Sequence, residues 1–396
     1  MITCGVIQND FLVNSDIQGR CQHQNPAIGI NGAGQFVVVW VDSRVGNPDW
    51  DIYGRRFSSE GEPLGESFRV NNDSYATFHN YPSVAVADDG SFFIVWWDGR
   101  DRGSTEGWSM WGQLYNTSGN PVGSNFEAET SIFDHMEPVI VTAGSEAYMS
   151  VWRYIVNGVG YMAGQRYDLS GNFLGPEFVI HEDSNGLNNP AVAVDSDGGF
   201  VAAWAGESDF NVYDVYASIF DSDGNPLGDY FRVNEDTTGS QLSPSTGKDS
   251  EGNFWIVWQD SRDGNADIFC QRYDSDGNPI GSNIKVNDDQ TDSDQTAPRI
   301  AVAENGEAYV VWEDQRDGDE SIYCQRFDSA GNAIGDNTQI SQDVHRSRQF
   351  WPEIAISASA NPIVVWQEGN GSNPDCDIYA QIVGDGDGNF RVTDDV

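Results

Sequence analysis

Apolar side chains along this chain alternate with polar ones or gather in short β-branched runs, and nowhere do they recur at the spacing of a helix. Runs such as Phe36-Val37-Val38-Val39-Trp40 end in a tryptophan. Tryptophans recur at Trp40, Trp96, Trp152, Trp204, Trp258, Trp312 and Trp366, at spacings of 56, 56, 52, 54, 54 and 54. A proline stands 14 residues before each one: Pro26, Pro82, Pro138, Pro190, Pro244, Pro298 and Pro352. Repetition at this period marks one supersecondary unit copied along the chain.

Each unit reads alike. A short apolar strand follows the proline (Ser83-Val84-Ala85-Val86), then a glycine turn (Asp88-Asp89-Gly90), then the run ending in tryptophan. A polar loop leads to a third strand (Asp51-Ile52-Tyr53-Gly54-Arg55-Arg56-Phe57). A tight turn (Asp221-Ser222-Asp223-Gly224-Asn225-Pro226) and a fourth strand (Phe231-Arg232-Val233-Asn234) complete it. Four antiparallel strands in each of seven repeats predict an all-β fold, a seven-bladed β-propeller forming one domain over residues 1–396. The chain opens with a strand of the fourth type, Phe11-Leu12-Val13-Asn14, which is expected to join the last blade and close the ring. Phe390-Arg391-Val392 has the same form, so one closing strand is surplus.

The turns on one face hardly vary: proline to tryptophan is always 14 residues, and the tyrosine position of strand three (Tyr53, Trp111, Ala163, Tyr216, Phe269, Tyr323) precedes its turn glycine by 8. On the other face, tryptophan to the tyrosine position runs from 11 to 15 residues. A scaffold keeps its frame constant and varies the loops that bind, so the variable face is the expected working face.

Charge narrows what that face can meet. There are 62 Asp and Glu against 20 Lys and Arg, a net −42 at pH 7, and Lys248 and Lys285 are the only lysines. Such a field repels nucleic acid and anionic membranes. No apolar run approaches the roughly 20 residues that span a bilayer. Hydrophobic residues at 38% and aromatics at 12% suffice for a large core, so the charge does not signal disorder. An acidic, lysine-poor surface suits high salt or calcium-rich extracellular water. Residues 1–14 lack the basic start and long apolar stretch of a signal peptide, as expected of a mature form, a fragment or a cytosolic protein. Five cysteines are too few for a disulfide framework. Cys270 and Cys324 occupy equivalent repeat positions and read as core residues, while Cys4, Cys21 and Cys376 leave a closing disulfide open.

Five constellations carry candidate chemistry. His23, His79 and His135 stand three residues before their prolines, where other repeats have Leu187, Gln241, Gln295 and Gln349. At the mouth of the central channel three imidazoles would serve a metal or proton transfer; as strand-start braces they would be structural. The Asp42/Arg44, Asp98/Arg100, Asp260/Arg262 and Asp314/Arg316 pairs after tryptophan are repeated and so read as loop braces. Trp50, Trp97, Trp108, Tyr81, Tyr154, Phe350 and Trp351 fall on the variable face, as platforms for sugar rings or as packing between blades. His345-Arg346-Ser347-Arg348 forms a basic spot for an anionic group or for ion pairing with nearby Asp. The Asp221, Asp274 and Asp385 turns begin like a calcium loop but lack its closing glutamate, and a hairpin turn accounts for them.

The run Val310-Val311-Trp312-Glu313-Asp314-Gln315-Arg316-Asp317-Gly318, followed by Ser321-Ile322-Tyr323-Cys324-Gln325-Arg326-Phe327-Asp328, resembles repeats of secreted and surface proteins in the broad sialidase-like or integrin-like propeller group. The resemblance covers nearly the whole chain and implies the propeller fold; the sialidase Asp-box is absent in its usual form. His79-Asn80-Tyr81-Pro82 is also similar to the strand-start pattern of propeller polysaccharide lyases.

The resulting expectation is a non-catalytic secreted or cell-surface module, a monomeric domain or part of a larger surface protein. It would bind a glycan or an extracellular protein through His23, His79, His135, Trp108, Tyr154, Arg346, Arg348 and Trp351. It would require no cofactor, although calcium is compatible. The alternative is a polysaccharide lyase or glycoside hydrolase, with His79, His135 and Tyr81 for acid–base work and Arg100 or Arg153 neutralising a uronate. A purely structural module of a surface assembly is the third reading.

Overall fold

The repeat tryptophans lie opposite the predicted tyrosine position of the next strand, aromatic in most blades and alanine in the third: Trp40 faces Tyr53, Trp96 faces Trp111, Trp152 faces Ala163, Trp258 faces Phe269 and Trp312 faces Tyr323. The computed structural model describes residues 5–6, 10–15, 22–44, 50–73, 77–100, 108–129, 135–183, 187–341, 347–357, 360–369 and 376–384, with only the backbone of 5, 6, 135 and 360. It is a seven-bladed β-propeller of four-stranded antiparallel blades. Blade one is typical, with strands His23–Ile30, Phe36–Asp42, Asp51–Phe57 and Phe68–Arg69. The first strands of neighbouring blades pack against one another around the centre.

The second strands are continuous apolar runs because both of their faces are covered. In blade one Phe36, Val38 and Trp40 pack against blade seven, while Val37, Val39 and Val41 pack against Phe92, Ile94 and Trp96 of blade two. All seven repeat tryptophans are at most 1% exposed.

The repeat prolines have a mechanical reason. Each first strand carries a β-bulge, as between Gln24 and Ala27, and the residue before the proline takes a left-handed conformation. These residues are Asn25, Tyr81, Glu137, Asn189, Ser243, Ala297 and Trp351, with φ between 48° and 54°. A bulge leaves one residue unpaired in the ladder, and proline has no N–H to leave without a partner there.

Blade seven has three strands of its own, Arg348–Ser357, Ala360–Gly369 and Cys376–Gly384. The N-terminal segment supplies the outer one: Phe11 pairs with Ala380, Leu12 with Tyr379, and Gly5 with Gly384. The bond from Val13 N–H to Ile378 O, 2.8 Å, matches that from Val70 to Ile52 in blade one. Phe390-Arg391-Val392 lies outside the described residues, as do Cys4 and Cys21.

An asparagine clamp follows four of the outer strands. Asn14 Oδ1 accepts the Ile378 N–H at 3.0 Å while its amide donates to Asp377 at 2.9 Å. Asn71, Asn234 and Asn287 repeat the geometry on Ile52, Val215 and Ile268. Asn234 and Asn287 also donate to Gln241 and Gln295, which start the following blades. A buried N–H left unpaired costs about 1–3 kcal/mol. Asn14→Ala is therefore expected to lower unfolding free energy by about that much, read from urea denaturation followed by tryptophan fluorescence.

Candidate functional site

Two of the three strand-start histidines take the structural one of the two roles the sequence left open. His23 and His79 are 2% and 1% exposed, and their ring nitrogens are engaged by neighbouring groups. The neighbouring blade covers them. His23 Nδ1 lies 2.6 Å from Cys376 O and its Nε2 lies 3.2 Å from Asp42. His79 Nδ1 lies 2.6 Å from Trp50 O, and its Nε2 lies 3.3 Å from both Asp73 and Asp98. Gln241 occupies the equivalent place in blade five and donates to Thr238 O at 2.9 Å and to Asp260. Burial alone would lower the His79 pKa, but the hydrogen bonds and charges of Asp73 and Asp98 lift it to about 9. It is a cation at neutral pH and a poor general base. His135 begins the first strand of blade three, and its side chain lies outside the described residues.

The Asp/Arg pairs are braces, as their repetition implies. Asp98 is fully buried and accepts the Trp96 indole N–H at 2.7 Å, the Arg100 backbone N–H at 2.8 Å and the Arg100 guanidinium at 2.6 Å. The guanidinium lies 3.7 Å from the centre of the Trp111 ring. Arg44, Arg262 and Arg316 repeat the arrangement over Tyr53, Phe269 and Tyr323. Blades three and four replace the polar loop with extended hairpins, Ala147–Val156 with Val159–Asp168 and Phe200–Asp209 with Val212–Phe220. The first turns through Asn157-Gly158, both at positive φ.

Other candidates are also engaged. Arg153 pairs with Glu137 at 3.1 Å and donates to Leu187 O at 3.2 Å. Tyr154 is 6% exposed and stacks on Tyr161 at 5.0 Å, so it is a packing residue and not an exposed platform. Arg348 is bidentate to Glu320, so its positive charge is already matched. Arg346 lies outside the described residues. Asp221 and Asp274 accept the N–H groups of their own turns at 2.8–3.1 Å, which explains those sequences as hairpin turns. Cys270 and Cys324 are fully buried in the core.

Among the described candidate residues, the exposed ones are aromatic. Tyr81 and Trp351, both left-handed residues on the bulges, are 41% and 44% exposed. Blade two gathers most of the rest. Trp97 and Trp108 stack with centroids 4.1 Å apart, and Tyr81 lies 5.6 Å from Trp97. Phe78 stacks on Trp50 at 6.4 Å and is 43% exposed. A cavity of about 230 Å³ opens among Phe78, Asn80, Trp97 and Trp108.

One residue missed in the sequence makes this arrangement. Gly99 stands where the other Asp/Arg loops have Ser43, Ser261 and Gln315. A Cβ at Gly99 would come within 2.6 Å of the Trp108 ring. The lone glycine among four copies was the available signal.

No known family pattern matches the chain, and no curated protein matches it in sequence. Solved structures do resemble it. An ulvan lyase bound to -[GlcA(1-4)Rha3S]- has a TM-score of 0.59 at 12% identity, over 97% of this chain and 96% of that one. A protein of unknown function from Dyadobacter fermentans gives 0.56 at 12%, over 95% and 97%. The NanB sialidase of Streptococcus pneumoniae gives 0.51 at 9%, over 96% and 70%. Polysaccharide lyase and sialidase propellers thus share this architecture, and at these identities the likeness is one of fold.

His79 can be tested as a brace. Its raised pKa means that its protonated form adds stability in full below the unfolded value of 6.5, and that this is lost as pH rises through about 9. His79→Gln, the residue of three other blades, is expected to fold normally. The stability difference between wild type and variant should narrow between pH 6.5 and 9.5, measured by urea denaturation across that range.

Proposed function

We propose that this propeller is a secreted or cell-surface module that binds an uncharged glycan at the blade-two cavity and does not cut it. The observation that carries the reading is the cavity itself: stacked indoles beside a glycine that makes room for them, on the face whose loops vary. Aromatic faces of this kind fit the C–H faces of sugar rings through dispersion. A concave, mostly apolar wall with a few polar groups is the usual form of a small-ligand site.

Charge favours a neutral sugar. The chain carries −42, and Arg100 and Arg348 are each matched by a carboxylate. A polyanion would meet repulsion from that net charge. The burial of His79 among carboxylates counts against one of the two histidines, His79 and His135, that the cleavage alternative would use. Tyr81 supports the lyase reading most, because it is exposed on its bulge beside the Arg153–Glu137 pair. No metal or other cofactor is needed for the contacts proposed.

Incubation with neutral and acidic polysaccharides, reading retention and chain shortening together, separates these outcomes. Retention on a neutral polymer without shortening is expected, and shortening would replace the binding reading with the enzymatic one. Gly99→Ser should displace Trp108 and weaken retention at least tenfold. The Asp98–Arg100 brace has a Ser counterpart in blades one and five, so the melting temperature should stay close to wild type. Unchanged retention in Gly99→Ser would remove the cavity from the reading.

A further inference from the structure

The cavity does not account for every exposed aromatic on this face. Tyr81 and Trp351 stand at the same repeat position, the residue before the proline, with φ of 48° and 49°. A left-handed backbone suits glycine or asparagine and is unfavourable for a bulky side chain. Four other blades meet it with Asn25, Asn189, Ser243 and Ala297. The core does not demand the two rings, since they are 41% and 44% exposed. Strain retained for a ring that faces solvent points to binding.

The two residues belong to blades two and seven, which flank blade one. A pair of amides lies between them. The Asn25 amide donates to Asn80 Oδ1 at 2.6 Å, and the same oxygen accepts the Tyr81 N–H at 2.9 Å. Among the described residues, Asn25 Oδ1 and the Asn80 amide have no protein partner. They set an acceptor beside a donor. Sugar hydroxyls fit such a pair, because each one both donates and accepts. Asn80 also lines the blade-two cavity, and Tyr81 lies 5.6 Å from Trp97. The cavity is thus continuous with Tyr81 and the amide pair.

Building on the glycan reading above, we infer that the site takes a chain of several sugar residues, laid from the blade-two cavity across Tyr81 and the Asn25–Asn80 pair to Trp351. One sugar fills the cavity. The next ones place hydroxyls on the amides and stack on the two strained rings. A single sugar would leave Trp351 unused.

The test uses cello-, manno- and xylo-oligosaccharides from disaccharide to hexasaccharide, with affinities for the full chain read by calorimetry. In a series that binds, affinity should rise about tenfold with length, the worth of one further ring contact. Trp351→Ala should flatten that rise and leave the disaccharide affinity unchanged. Its melting temperature should match wild type, because Ala297 already holds this conformation. Gly99→Ser should instead weaken every length alike. A wild-type affinity that does not grow with length would overturn the inference and leave the cavity standing. So would a rise that survives both Trp351→Ala and Tyr81→Asn. Binding of none of the three series would overturn it too, even with a neutral polymer retained by wild type and lost by Gly99→Ser. Failure of every glycan would remove the underlying reading along with it.

Discussion

Four fully buried aspartates, Asp42, Asp98, Asp260 and Asp314, set the terms on which the blades of this ring are built. A carboxylate withdrawn from water is costly unless its lone pairs are filled and its charge is matched. Each of these accepts an indole N–H from the repeat tryptophan and both backbone and guanidinium N–H groups from the arginine two residues on. The arginine then lies over the aromatic ring of the third strand, so one residue neutralises the acid and covers the core. Tryptophan, aspartate, arginine and tyrosine in the repeat are parts of one unit.

The same logic governs contacts between blades. The outer-strand asparagine caps a third-strand N–H, binds the third-strand aspartate and, in two blades, reaches the glutamine of the next blade. Asn14 performs the first two of these tasks across the closure of the ring. Since these groups hold one another, His23, His79, Arg100, Arg153 and Arg348, which look available in isolation, are already engaged. Among the described candidates, those left exposed outside the clamp are aromatic.

Function in a repeat protein is found where one copy departs from the others. Blade two keeps the brace and changes one member of its loop to glycine, and the space is taken by Trp108 from the same loop. Blades three and four depart in another way, exchanging the brace for extended hairpins, one of which leaves Phe210 85% exposed at its tip. The face is uneven although its frame is symmetric.

Blade number, strand order, the pairing of tryptophan with the tyrosine position and the braced Asp/Arg loops were all legible in the sequence. They depend on period-two alternation, turn chemistry and a repeat long enough to compare with itself, and these are local properties. For His79 the sequence left two roles open, a site at the channel mouth or a strand-start brace, because burial depends on how closely the next blade packs over it. The prolines were visible but their reason was not, since the left-handed residue before each follows from a bulge that only the ladder shows. The cavity lay furthest from view. Gly99 and Trp108 are nine residues apart in a loop of no regular period, and only the folded chain brings the missing side chain of one under the ring of the other.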